Sequence, residues 1–358
     1  MKALRARRPD WEFRGLGGPK LADLSSGAVR DWVDQAAVVG IWDVMKRYTW
    51  FKARFAETQC EIDGLDPDAV IFVDYPGFNL RMARALHGGA GRARLIHFVS
   101  PQVWAWNKGR IPRLAEWLDL MLCLFPFEVE HFEAAGLRTV CVGHPIVDQL
   151  EGERIAGDRV ESLIGLFPGS RQHEVMRLFP LMVEVVKDLH GRYPGWTFKA
   201  SAASESLQLM MRRILEEADA GGLPIEIVTG GSHELMQLAW CGVVASGTAT
   251  LEATYYGLPY CLVYKVAWPS YLAGRAVVDI EHLGMANILA QREIVHEFIQ
   301  HDASVENIVS FVESIMTDEM RREELVRNLL ETAAKLGKGG AAAVAAKAIV
   351  DLLEGHDD

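Results

Sequence analysis

Short apolar runs alternate with longer segments of helical periodicity along most of the chain. The runs 69–73, 95–99, 118–124, 139–142, 162–167, 197–200, 225–228, 242–245 and 260–264 read as strands. Each is short and most are predominantly apolar, the pattern of a strand buried on both faces. Segments such as 174–191 and 204–218 repeat their apolar residues at helical spacing. Alternating strands and helices with doubly buried strands predict parallel sheets of the doubly wound kind. The pattern loosens at the polar stretch 151–161, a candidate linker, and ends in a helical tail over 320–353 that is Ala-rich near 341–347.

The length of 358 residues fits two domains. The net charge of −11 argues against a general nucleic-acid binder. That charge is uneven. Residues 1–150 hold 19 Lys and Arg against 18 Asp and Glu, leaving 18 against 30 for the rest. A near-neutral, Arg-rich first half fits contact with something anionic, or ordinary surface variation. The five cysteines, Cys60, Cys123, Cys141, Cys241 and Cys261, include no C-x-x-C pair and mostly lie in apolar runs, as buried reduced thiols of a cytosolic protein would. The basic N-terminus lacks the apolar core of a signal peptide, and no apolar run reaches membrane-spanning length.

Ligands of doubly wound sheets bind beyond the C-terminal strand ends. Unusual residues gather there. After 242–245 comes Ser246-Gly247-Thr248, then a helix-like segment with Glu252 one turn in. A helix N-terminus offers unpaired N–H groups and partial positive charge to a phosphate, and Glu252 could reach a neighbouring sugar hydroxyl. Ser246 and Thr248 could equally serve only as helix caps. After 162–167 comes Pro168-Gly169-Ser170-Arg171. Here Gly169 permits close approach, Ser170 can cap the next helix, and Arg171 offers a bidentate fork for a diphosphate. A capped helix with a solvated Arg171 is the plainer alternative. Two such loops in one half favour a nucleotide-diphosphate site. The absence of Walker A and GxGxxG spacing near them disfavours kinase-type and nicotinamide sites.

In the first half, Asp74 follows a strand directly and could accept a proton from an attacking hydroxyl, or merely order the turn before Pro76. His144 suits a structural hydrogen bond better than catalysis. Trp104, Trp106, Lys108, Arg110 and Arg113 mix aromatics with cations, as does the segment 38–55. The combination suits a lipid–water interface or a phosphorylated, acylated molecule. The alternative is that these aromatics are core.

Taken together, GLGGP (15–19), DYPGFNLRMA (74–83), VSPQVWAWNKGRI (99–111), LCLFPFE (122–128), VGHPIVD (142–148), LFPGSRQHEV (166–175), ASGTATLEA (245–253), YKVAWPSY (264–271) and NILAQREIVHEFIQ (287–300) resemble the lipid-A-disaccharide synthase family of GT-B glycosyltransferases. They run in family order over nearly the whole chain. The resemblance implies an α/β protein of two Rossmann-like domains facing across a cleft. An acceptor domain would span 1–150, a UDP-sugar domain 151–325, and a helical tail 326–358 would pack back on the first. It implies transfer of 2,3-diacylglucosamine from UDP-2,3-diacylglucosamine to 2,3-diacylglucosamine 1-phosphate, with inversion to a β-1,6 link and release of UDP. Asp74 is then the candidate general base. Ser170, Arg171, Ser246, Gly247, Thr248, Glu252 and Asn287 are donor-side candidates. Asn79, Trp104, Trp106, Lys108 and Arg110 are acceptor- or lipid-facing candidates. No cofactor or metal is implied. The expected partners are the two acylated substrates, the anionic inner membrane at its cytoplasmic face, and a second copy of the chain, without nucleic acid.

Two departures stand out. The family begins with a strand and a G-E-x-S-G-D loop ahead of the segment matching 1–19, so this chain is expected to start inside the first helix. Many members also read D-x-P-D-F-N where this chain has Gly77, which leaves Asp74 without a neighbouring carboxylate. Another UDP-sugar enzyme, such as the peptidoglycan GlcNAc transferase or an epimerase, lacks the WAWNKGR and GHPIVD context. A non-catalytic nucleotide- or lipid-binding chain is the reading from a different class.

Overall fold

The computed structural model describes residues 1–25, 29, 31, 48–89, 91–268, 271 and 281–355. The chain divides into two compact units, 1–145 with 340–358, and 146–339. The boundary lies slightly before the expected 150 because the helix Ile146–Gly152 is tied to the second unit: the Tyr256 hydroxyl donates to the Leu150 carbonyl at 3.0 Å, and Tyr255 bonds Glu151. The expected 326–358 tail is divided. The helix Glu319–Ala333 belongs to the second unit, and the helix Ala341–Glu354 packs on Lys2–Arg7 in the first, where Arg8 pairs with Glu354.

The first unit carries a parallel sheet of β1 (Ala69–Val73), β2 (Arg94–Phe98), β3 (Leu120–Cys123) and β4 (Thr139–Cys141), in that spatial order. All four β3 residues are buried, as the apolar run LMLC requires. Phe72, Leu80, Met82, Leu95, Val103, Leu114 and Phe132 form the core beside it.

The second unit holds β5 (Val160–Phe167), β6 (Thr197–Ala202), β7 (Ile225–Thr229), β8 (Ala239–Ala245), β9 (Tyr260–Tyr264) and β10 (Glu297–Ile299). Their order, β10-β9-β8-β5-β6-β7, is all parallel. It is the Rossmann order, in which the chain runs outward from β5 to one edge and then returns to the other side. The switch point falls between β5 and β8.

All nine expected strands are present, with ends moved by up to three residues. The three-residue strand β10 was not expected, since so short a stretch shows no period. The helices Gln172–Arg192 and Glu205–Glu217 match the two periodic segments. All five cysteines are free thiols, but Cys60 is exposed and Cys141 half-buried, against the expectation of general burial. Of the aromatic segment 38–55, residues 38–47 lie outside the described residues. The rest begins the helix Tyr48–Leu65, where Phe55 packs inward, its ring 5.6 Å from that of Phe78, while Tyr48 is exposed.

Candidate functional site

Two loops leave the switch point side by side. Phe167, the last residue of β5, is the register partner of Val244, one residue from the end of β8. In the first loop Gly169 has φ of +108°, and a Cβ there would lie 2.5 Å from Glu174 Oε2. That carboxylate accepts from the Ser170 and Arg171 backbone N–H groups at 3.1 and 3.2 Å, and Arg171 Nη1 donates to it at 3.2 Å. The expected Ser170 cap is therefore replaced. Glu174, one turn into the helix, has the longer reach and caps the turn from inside. Arg171 remains two-thirds exposed. The loop thus already holds an oxyanion on two amides and a guanidinium, the donor set that a phosphate needs.

In the second loop the helix Thr248–Tyr255 starts from Gly247, at φ of +149°, without any side-chain cap. Ser246 and Thr248 make no side-chain hydrogen bond among the described residues, so the alternative in which they serve only as caps does not hold. The buried hydroxyls behind them are committed instead. Thr250 donates to the Gly247 carbonyl at 2.7 Å and Thr254 to that of Thr250 at 2.6 Å. Two uncommitted hydroxyls thus flank the helix N-terminus just after the end of β8. Glu252 is nearly covered, its side chain 17% exposed, and its Oε2 lies 3.4 Å from Nε2 of His233. Nδ1 of His233 lies 2.6 Å from Glu153 Oε2. Neither His233 nor Glu153 belongs to any recognised motif, and 80 residues separate them in sequence.

Asn287 does not project as expected. It is wholly buried, and all four of its amide bonding positions are used. Its Nδ2 donates to the Val295 carbonyl and Glu297 Oε1, and its Oδ1 accepts from the Ile294 and Val295 amides, all at 2.7–2.9 Å.

In the first unit, Asp74 is exposed at the end of β1, and its carboxylate has no hydrogen-bond or ion-pair partner among the described residues. Asp74 and Tyr75 both adopt the left-handed region, with φ of 47° and 46°, and Val99 at the end of β2 has φ of 70°. Left-handed conformations in non-glycine residues are costly, most of all for a β-branched valine, and they gather at functional sites. Asn79, expected to face the acceptor, instead donates to the Val73 and Asp74 carbonyls at 3.1 and 2.6 Å. It holds the turn that presents Asp74.

Trp104 is corrected from lipid-facing to core. It is buried, and its indole N–H donates to Glu128 Oε1 at 3.0 Å. Glu128, unforeseen as a hub, is itself 2% exposed. It also accepts from the Ser100 hydroxyl at 2.5 Å and from the Leu124 and Phe125 amides at 3.2 and 3.1 Å. Burial outweighs these bonds and pushes its carboxyl above the ordinary range. Its place at the third position of the helix Pro126–Glu133 was the available signal. Trp106 is exposed with the Arg110 guanidinium 4.9 Å over its ring, and Lys108 is exposed beside them. His144 is half-buried, which lowers its pKa, and its ring lies 5.6 Å from Phe125.

Among the described residues no acidic, His and Cys cluster could hold a metal ion.

A family profile described as lipid-A-disaccharide synthetase matches residues 1–348. A lipid-A-disaccharide synthase of Geobacter metallireducens is 33% identical over 355 residues, covering 96% of this chain and 90% of its own length. That of Myxococcus xanthus is 34% identical, covering 98% and 92%. Among solved structures, the Staphylococcus aureus MnaA–UDP complex aligns with a TM-score of 0.54 at 12% identity, covering 96% of this chain and 95% of that one. The UDP-GlcNAc 2-epimerase of Neisseria meningitidis bound to UDP-GlcNAc gives 0.53 at 10%, covering 96% and 99%. Identities this low speak to the fold alone, an α/β protein of the GT-B class. The family match and the extent of the sequence identity together place the chain: it belongs to the lipid-A-disaccharide synthase family.

Proposed function

We propose that the chain transfers 2,3-diacylglucosamine from UDP-2,3-diacylglucosamine to the 6-hydroxyl of 2,3-diacylglucosamine 1-phosphate, forming the β-1,6 disaccharide and UDP. The observation that carries the donor side is the pair of anion loops at the β5/β8 switch point, with Arg171 exposed and the Ser246 and Thr248 hydroxyls uncommitted. The diphosphate would lie against the Gly247–Thr248 helix start and Arg171, with Glu252 on the ribose. Charge that develops on the departing UDP would meet fixed N–H dipoles and a guanidinium already in place. Asp74, unpaired at a strained strand end, would accept the proton of the attacking hydroxyl.

The exposed Trp106, Arg110 and Lys108 support a peripheral contact of the first unit with an anionic membrane that supplies acylated substrates. No described helix is long and apolar enough to cross a membrane. We further propose a homodimer, on the family resemblance alone.

The test is disaccharide and UDP formation from the two acylated substrates. UDP binding without disaccharide from this acceptor would remove the acceptor assignment and leave the donor site standing. Absence of UDP binding would sink the proposal as a whole.

A further inference from the structure

We infer that His233 is a positioning residue for ribose recognition: its ring, fixed by Glu153, holds the Glu252 carboxylate in the orientation that meets the sugar hydroxyls of a bound uridine diphosphate. The inference rests on the proposed role of Glu252 at the ribose.

His233 is the second residue of the helix Ser232–Leu238, which begins after Gly231 at φ of 62°. Its side chain is 13% exposed. Nδ1 faces Glu153 at 2.6 Å and Nε2 faces Glu252 at 3.4 Å, so one ring spans two carboxylates from distant parts of the chain. The ring cannot swing freely. Its centroid lies 5.8 Å from that of the Tyr256 ring, the two planes tilted by 51°. One turn along, Gln237 Nε2 donates to the Glu153 and His233 carbonyls at 3.0 and 3.1 Å, and its Oε1 accepts from the Ile155 amide at 2.9 Å. The 153–155 segment and this helix are therefore clamped together, with the ring on a fixed base.

Glu252 has no other hydrogen-bond or ion-pair partner among the described residues, and its second oxygen is uncommitted. Without the ring, the carboxylate loses the one group that the described residues set against it and has more rotamer freedom to give up on binding. With it, one oxygen is anchored and the other is preset. This division suits a carboxylate that accepts hydrogen bonds from a vicinal diol, and a preset acceptor binds more tightly than a free one.

The test compares UDP with 2′,3′-dideoxy-UDP by calorimetry, in the full chain and in His233→Ala, His233→Gln, Glu153→Gln and Glu252→Ala. Wild type should prefer UDP by about tenfold or more, as expected for hydrogen bonds to a charged acceptor. Glu252→Ala should abolish that preference. His233→Ala should cut it several-fold while leaving dideoxy-UDP affinity unchanged, which a general loosening of the fold would not do. His233→Gln and Glu153→Gln should fall between, and they carry the test if the alanine variant does not fold. Loss of the preference in Glu252→Ala with full retention in all three other variants would overturn the role of His233 and leave Glu252 at the ribose. Full retention in Glu252→Ala would overturn the ribose assignment itself, and the positioning role with it.

Discussion

Asn79 Nδ2 donates to the Asp74 carbonyl at 2.6 Å and to that of Val73 at 3.1 Å, closing a turn in which Asp74 and Tyr75 are both left-handed. One amide thus offsets strain of order 1–3 kcal/mol per residue. If Asp74 is the base, Asp74→Asn should lower turnover by roughly 10²–10⁴-fold, the usual range for a general base, with UDP affinity intact. Asn79→Ala should lower turnover less and leave UDP affinity equally unchanged. Steady-state kinetics beside UDP calorimetry checks both; a weakened UDP affinity in either would move these residues to a different role.

The two loops at the β5/β8 switch point should separate binding from stability at neighbouring residues. Arg171 is exposed and, among the described residues, ion-paired only with Glu174, a surface bridge worth little to folding. Arg171→Ala should leave the urea midpoint in place and weaken UDP by ~1.5–3 kcal/mol, the worth of charge-assisted bonds. Ser246→Ala should act the same way but more weakly. Thr250→Val should do the reverse, because its hydroxyl is buried and bonded to the Gly247 carbonyl. That variant should lose about 1 kcal/mol of stability from the lost hydroxyl bond, while the Gly247 carbonyl keeps the Thr250 backbone N–H at 3.1 Å. Equal effects of all three on both measurements would contradict the division.

The strands and their order of function were legible because buried parallel strands leave contiguous apolar runs, and because ligand loops follow them. Arg171, Ser246, Thr248 and Asp74 all fall within four residues after the end of a strand. The roles of Trp104, Asn79 and Asn287 were not legible. Their side chains turn inward to partners set by tertiary packing, and nothing local distinguishes a tryptophan in WAWNKGR that meets lipid from one that meets Glu128. His233 was silent for the same reason, since its partners lie 80 and 19 residues away. Glu174 shows a third case: a capping carboxylate at the third helical position was readable, but Ser170 offered itself first.

Glu128 joins the 100–104 and 124–125 segments through one buried carboxylate with four donors. Glu128→Ala strands two backbone amides, a hydroxyl and an indole N–H away from water. Each unpaired buried donor costs ~1–3 kcal/mol, so the first unit should lose several kcal/mol in urea unfolding. Trp104→Phe, which removes one of the four donors, should cost much less. Near-equal losses would mean that the ring packing, rather than the carboxylate, holds the loops.

His97 is the next-to-last residue of β2, wholly buried, with neither ring nitrogen hydrogen-bonded among the described residues and the Phe72 ring 6.3 Å away. Burial lowers its pKa from 6.5 to about 4, an effect that the Val99 backbone offsets only in part. Between those values the unfolded chain holds the proton and the folded chain does not, so stability falls as pH drops from 6.5 towards 4. The shift corresponds to about 3 kcal/mol at the acid end, none of it lost at pH 7.5. His97→Leu removes the titration and keeps an apolar group in the strand. Urea unfolding of the first unit from pH 7.5 to 4 should show a shallower decline in the variant, whose stability relative to wild type rises by roughly 2–3 kcal/mol across that window. Parallel declines in the two proteins would show that His97 takes up its proton as easily in the folded sheet as in the unfolded chain.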